Sequence, residues 1–324
     1  MPIEALTKNV LALDYPIYET LLKNQLTYLQ VIQEQHPTHV ADTAFWMDVA
    51  KRVIDNTMIL RQIVGYQPMS GPVGDVWYLR YSNDQAYDKS GKRMSLGYDH
   101  ANHSASSRKL ATRGPLDPNE TIKGCTPMFG VDLKAELAAL TAFSIADEII
   151  GKVISDLSRI STPFRPERWP FSTTSKSFAN EYPSILFTLN AACGEIARRT
   201  RRGAGNFIIA SPEDIDQLKC SGWVKTDAYE QGPLTHVGTT NLFKIYSSTY
   251  LKNRIIVGYK GKQTVTGQHD IDIGYIYTPY VPVSAMGVAG DEIMLATRGD
   301  CWVMPRQPGK MCDASDYYVS LQTQ

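Results

Sequence analysis

His36 and His39 are separated by two residues in HPTH, and His100 and His103 repeat that spacing in HANH. Two imidazoles so placed can begin a metal site, but a catalytic zinc takes three protein ligands and a structural one four. No third ligand lies nearby in sequence, and both pairs fall in polar, turn-like stretches. His269, Asp270 and Asp272 in QHDID supply a base and two carboxylates, the ingredients of proton transfer; between two strand-like runs, a capped turn is the simpler expectation. Cys193 and Cys220 carry no nucleophile signature around them. GAGN, residues 203 to 206, lacks both the preceding strand and the spacing of a dinucleotide loop, and no Gly-Lys-Thr phosphate loop occurs. No catalytic, cofactor-binding or metal residue is therefore expected. The five cysteines are odd in number, widely spaced and without a Cys-x-x-Cys pair, so free and mostly buried thiols are expected rather than a disulfide framework.

The charge feature that stands out is Arg198, Arg199, Arg201 and Arg202 in IARRTRRG. Such guanidiniums can meet acidic residues of an adjacent subunit or phosphates. They can equally close a helix C-terminus, where the macrodipole favours cations by under ~1 kcal/mol each. Subunit contact or capping is the reading preferred over DNA binding. Globally the chain is neutral, with 33 basic and 33 acidic residues, so nothing draws it as a whole to nucleic acid or acidic membranes. At 324 residues, 43% hydrophobic and 20% charged, it can bury a large core and is not disordered. No apolar run is long enough for a membrane helix, and MPIEALTKNV lacks the regions of a signal peptide, so a soluble protein made in a cytoplasm is expected.

The elements that must position these residues alternate helix and strand. Helical spacing marks Ile17 to Gln35 and the stretch ADTAFWMDVAKRVIDNTMILRQIVG. GYQPMSGPVGDVWYLR then stiffens a Gly/Pro loop before a strand that is bulky on both faces: Val76, Tyr78 and Arg80 on one, Trp77, Leu79 and Tyr81 on the other. Both faces are expected to meet protein. Residues 82 to 113 are polar and read as a long hairpin or extended loop. Asp132 to Arg159 reads as one long helix with Asp132 as N-cap. Its expected apolar stripe is Leu133, Leu137, Leu140 and Phe143, continued by Ala146, Ile150, Ile154 and Leu157. On that stripe Ile150→Asp should be ruinous, and Lys152→Glu, on an exposed face, mild. A helix ending at Gly203, a short buried strand to Ala210 and a helix capped by Ser211 with Pro212 at its first position form an α/β unit. Strand signals then dominate to the C-terminus.

VGYQPMSGPVGDVWYLR, IARRTRRGAGNFIIASPEDIDQL and IIVGYKGKQTVTGQHDIDIGYIYTPYVPV resemble, in that order, segments of the major capsid proteins of T-even-like tailed bacteriophages, and the closing DYYVSL fits their terminal strand. The resemblance covers most of residues 55 to 324. It implies an α+β chain with the Hong Kong 97 capsid fold: an N-terminal arm with helices (1–54), the start of a P-domain (55–81), an E-loop (82–113), a P-domain (114–171) with a spine helix (132–159), an A-domain (about 172–285) and P-domain return strands (286–324). The implied function is that of a major head protein, not an enzyme and without cofactor, which self-assembles as hexamers and pentamers into an icosahedral shell around double-stranded DNA without reading its sequence. Scaffold, portal, vertex and decoration proteins are its implied partners, the virion its location, and a host bacterial cytoplasm its place of assembly; no membrane is involved. The candidate assembly contacts are Trp77, Tyr78 and Arg80 at the root of the arm, Lys92 and Arg93 towards its tip, and Arg198, Arg199, Arg201 and Arg202. The chain is shorter than the T-even proteins, chiefly around the E-loop and N-terminus, with no long acidic propeptide and no room for their inserted domain. A pentameric vertex paralogue and an encapsulin-like compartment protein share the implied fold. The competing class is a soluble α/β enzyme or ligand-binding protein, which rests only on the histidine and carboxylate groupings.

Overall fold

The computed structural model describes residues 14–35, 42–82, 95–123, 131–164, 178–220, 224–226, 232–262, 264–265, 269–307 and 312–323. Its helices are α1 (Tyr15–Gln35), α2 (Thr43–Thr57), α3 (Pro118–Ile122), α4 (Leu133–Ile160), α5 (Phe178–Thr200) and α6 (Pro212–Cys220). The strands are β1 (Gly65–Tyr66), β2 (Val73–Ser82), β3 (Ser95–Ser104), β4 (Ser107–Pro115), β5 (Thr162–Pro163), β6 (Phe207–Ala210), β7 (Lys225–Thr226), β8 (Thr235–Thr239), β9 (Lys244–Ser247), β10 (Arg254–Gly258), β11 (Thr264–Val265), β12 (His269–Asp270), β13 (Tyr275–Ala289), β14 (Glu292–Val303) and β15 (Tyr318–Gln322). The architecture is α+β, as expected.

One sheet of seven strands runs β5-β15-β10-β6-β9-β8-β7, and its central strands β15, β10 and β6 are buried on both faces. Side chains alternate across a strand, so Ile208 and Ala210 of β6 join Ile255, Val257, Val319 and Leu321 beneath α5 and α6. Phe207 and Ile209 point the other way, into the larger core with Tyr246, Ile256 and Tyr318. That larger core also holds α1, α2, α4 and the four-stranded sheet β1-β13-β14-β4. The expected boundary at residue 285 falls inside β13, which runs unbroken past it. Pro279 and Pro282 lie within β13, where a missing N–H interrupts the ladder, and the register slips at both. Opposite Pro279 stands Gly299 with φ 148°; a Cβ there would come within 2.9 Å of the Pro279 Cα.

Helix α1 closes the free edge of β13 with side chains. Asn24 Nδ2 donates to the Met69 carbonyl (2.8 Å) and to that of Tyr280 (3.0 Å). Gln25, fully buried, donates Nε2 to the Val283 carbonyl (2.9 Å) and accepts the Val283 N–H at Oε1 (3.0 Å). The Tyr28 hydroxyl accepts the Ala285 N–H (2.7 Å) and donates to its carbonyl (3.2 Å). The edge strand β4 is handled alike: Glu148 of α4 accepts the amides of Ala111 (2.8 Å) and Thr112 (2.7 Å) and the Thr112 hydroxyl (2.6 Å).

Helix α4 has 28 residues, about 42 Å at 1.5 Å per residue. Asp132 caps it, accepting from Lys134 N (3.0 Å) and Ala135 N (3.3 Å). Its C-terminal half buries Ile150, Ile154 and Leu157 as expected. The N-terminal half departs from the expected stripe, for Leu140 and Phe143 are 66% and 50% exposed while Ala138, Ala142 and Ile145 are buried. Helix α2 packs against α4, with Lys134 at the start of α4 donating to Asp42 at the start of α2, and the buried side of this half is formed by Ala138, Thr141, Ala142 and Ile145. The expectation for Lys152 is also corrected: its ammonium donates to Asp156, a buried carboxylate that receives Arg159 Nη2 (3.1 Å) and the Tyr275 hydroxyl (2.8 Å) as well. A glutamate at 152 would face that carboxylate directly.

Candidate functional site

Strands β2 and β3 pair over ten positions, Val73↔Ser104 to Ser82↔Ser95, and belong to neither large sheet. They form a hairpin whose base is tied to the body from both sides. The Gln67 side chain acts as a backbone substitute: Nε2 donates to the carbonyls of Trp77 (2.6 Å) and Asp270 (2.7 Å), and Oε1 accepts the Trp77 N–H (3.0 Å). Leu79 N donates to the Ile271 carbonyl (2.9 Å). The strand was expected to meet protein on both faces, and Val76, Tyr78, Leu79 and Arg80 are all buried. Trp77 is 37% exposed and stacks on His100, ring centroids 5.2 Å apart, whereas Tyr78 packs on Trp302 at 4.5 Å.

Beneath the root lies a buried ion pair. Arg202 and Asp272 have side chains only 4% and 2% exposed. Arg202 Nη1 donates to Asp272 Oδ1 and to the Tyr317 hydroxyl (2.5 Å), and Nη2 donates to the Leu79 carbonyl on the hairpin itself (2.9 Å). The Tyr259 hydroxyl donates to Asp272 Oδ2 (3.3 Å). Burial works against the guanidinium charge, yet the Tyr317 and Asp272 partners prevail and raise the Arg202 pKa. Arg80 donates Nη2 to the Pro305 carbonyl and lies 5.5 Å from the Tyr78 ring centroid, with Nε and Nη1 buried and unpartnered.

The arginine run thus divides. Arg202 faces inward, and Arg199 donates to Glu195 (2.7 Å) and to the Thr162 hydroxyl. Arg198 is exposed beside Glu195, its Nη2 donating at 2.6 Å, and Arg201 is exposed at the helix end in the left-handed region, φ 55°. Arg198, with Arg199, holds the Glu195 carboxyl down at about 2. Tyr78, Arg80 and Arg202 are accordingly interior groups that fix the root of the hairpin, while Trp77, Arg198 and Arg201 face outward. Lys92 and Arg93 lie outside the described residues, as do His36 and His39.

His100 and His103 lie on β3, and among the described residues no group of three His, Cys, Asp or Glu could hold a metal ion. Asp270 and Asp272 are buried ion-pair partners, where capped-turn residues were expected. Burial pushes the thiols of Cys193 and Cys301 up to about 12. No local signal marks the ion pair: Asp272 lies in a bend after β12, and its partner is remote in sequence.

Curated relatives include the major capsid proteins of Vibrio phage KVP40, 25% identical over 222 residues, and of Enterobacteria phage T4, 25% identical over 232. Those matches take in 60% and 63% of this chain but only 41% and 42% of the relatives, so the chain spans about two fifths of their length. Similar solved structures include a virus-like particle from Pyrococcus furiosus (12% identity, 85% of this chain and 96% of that one, TM-score 0.47) and the mature capsid of bacteriophage PhiM1 (11%, 82% and 86%, TM-score 0.42). Residues 43–115 and 83–299 match the family described as Major capsid protein Gp23. These overlapping stretches take in well over half of the sequence, and the chain belongs to the Gp23 major capsid protein family.

Proposed function

We propose that copies of this chain assemble into the icosahedral shell of a tailed phage, as hexamers and pentamers around packaged DNA, and that the β2–β3 hairpin is the arm each copy lays on its neighbour. The observation that carries the reading is a hairpin paired over ten positions, outside both main sheets and held by a buried root, in a chain of the Gp23 family. An arm whose root is buried but whose tip carries few apolar residues gains order there when a neighbour supplies the contacts. On this reading the arm starts at Val73, α4 is the spine of the P-domain, the lobe built on the seven-stranded sheet with α5 and α6 contains the A-domain, and Trp77, Lys92, Arg93, Arg198 and Arg201 meet other copies. The role is structural rather than enzymatic, and its place is the virion.

Limited trypsin digestion tests the arm. The unassembled chain should be cut first at Lys92 and Arg93, and particles should be spared there. A variant with residues 83–94 replaced by a short Gly/Ser turn should stay folded and soluble yet form no shells in electron micrographs. Equal cleavage in both states, or normal particles from the shortened chain, would refute the arm assignment.

A further inference from the structure

Lys260 lies at the floor of a cleft of about 380 Å³ between the turn of 3-10 helix Met58–Gln62, the start of β9 and the segment after β10. Its ammonium points inward, donating to the carbonyls of Arg61 and Val64 (2.9 Å) and to Asp270 Oδ2 (2.8 Å). Arg61 donates Nη1 to Asp14, and its Nε stands 3.8 Å from Asp270 Oδ2. Two carboxylates therefore match the two inner cations. Further out the lining carries Lys244 and Lys262, and no carboxylate is among the residues that line the cleft. Lys244 rests its ammonium on a neutral oxygen, Gln62 Oε1 (3.0 Å). A concave wall with surplus positive charge concentrates the field at its mouth. Burial pushes the Lys260 pKa down, and Arg61 and Lys244 push the same way against the pull of Asp270.

We infer that this cleft binds a phosphate group, received by Lys244 and Lys262 above the Arg61–Lys260 floor. A planar carboxylate is best met by an arginine fork, and the one fork here is already directed at Asp14. Two lysines act as mobile point charges, which suits a tetrahedral anion with several acceptor oxygens. The phosphate can belong to a nucleic-acid backbone or to a free phosphate or its ester. The inference does not depend on shell formation.

The test uses the unassembled full-length chain, with inorganic phosphate measured by equilibrium dialysis and a short fluorescent single-stranded oligonucleotide measured by anisotropy. Lys244→Gln with Lys262→Gln should weaken phosphate binding at least tenfold, whereas Lys23→Gln, an exposed lysine of α1, should leave it unchanged. If the natural source is a nucleic-acid backbone, the oligonucleotide should bind as well. The slope of log affinity against log salt should then fall by about 1.4 in the double variant, at about 0.7 per phosphate contact. Phosphate binding that is lost in the double variant, with no oligonucleotide binding in the unsubstituted chain, assigns the site to free phosphate. Should the double variant melt early, Lys262→Glu alone, at the exposed rim, carries the same comparison. Absence of binding to both probes, or equal binding by the substituted and unsubstituted chains, overturns the site.

Discussion

Replacing Arg202 with methionine keeps most of the side-chain volume and removes the charge. Asp272 would then be a buried carboxylate whose remaining side-chain donor is the Tyr259 hydroxyl at 3.3 Å, and the Leu79 carbonyl and Tyr317 hydroxyl would each lose a partner. Breaking a buried pair from one side costs about 3–5 kcal/mol, a large share of the roughly 5–15 kcal/mol that holds a domain together. Arg202→Met combined with Asp272→Leu leaves no orphaned charge. The remaining cost is three lost hydrogen bonds, at the Leu79 carbonyl and at the Tyr317 and Tyr259 hydroxyls, at about 1 kcal/mol each, so the double variant should be about 1 kcal/mol more stable than the single one. Urea unfolding of the unassembled chain, followed by circular dichroism and compared at equal m-value, measures both quantities. Hydrogen exchange at the Leu79 and Trp77 amides should report the same loss at the hairpin root. A single variant within about 1 kcal/mol of the parent, or a double variant no better than the single, would show that this pair does not hold the root.

Glu148 supplies a pH dependence. Burial works against its ionisation, but the Thr112 hydroxyl and the amides of Ala111 and Thr112 outweigh it and hold the pKa below the ordinary value. Its contribution should be complete above the unfolded-state pKa of about 4.3 and lost as pH falls through the lower folded value; Glu148→Gln should flatten that limb of a melting-temperature profile, and an unchanged profile would exclude the role. Ile150→Asp puts an unpaired charge at a position 2% exposed and should yield insoluble or protease-sensitive chains, a cost of several kcal/mol; soluble, assembling protein would mean that α4 faces otherwise. Gly261→Ala would set a Cβ 1.9 Å from Asp272 Oδ2. Because Arg202 holds that carboxylate in place, the change should lower the urea midpoint, and an unshifted midpoint would show that the carboxylate can move aside.

Local signals are legible in the sequence, whereas pairings between distant segments are not. The start of α4 follows from Asp132 and the residues around it. The outward turn of Leu140 and Phe143 depends on which side of α4 the rest of the chain covers, which spacing alone does not encode. The hairpin was expected at 82–113, but β4 leaves it to pair with β14 nearly two hundred residues later, and β2 starts at Val73. Arg202 was read as the last member of a basic run because its partner stands seventy positions away. Asp272 reads as a turn residue for the same reason, although Asp270 pairs with Lys260 only ten positions earlier. The capsid resemblance is legible because its motifs are contiguous; the charged groups of the cleft, Arg61, Lys244, Lys260 and Lys262, come from three separate segments and form no motif.

The way α1 meets β13 bears on how such a chain avoids misassociation. A bare strand edge can recruit another extended segment and seed aggregation. Asn24, Gln25 and Tyr28 occupy the hydrogen-bonding groups of β13 that a foreign strand would seek. A helix answering a strand in this way cannot itself be extended into a continuing sheet, so the pairing ends within one molecule. Loss of α1 would thus convert a self-limited edge into a polymerising one, and the first symptom should be fibrous aggregation rather than simple unfolding.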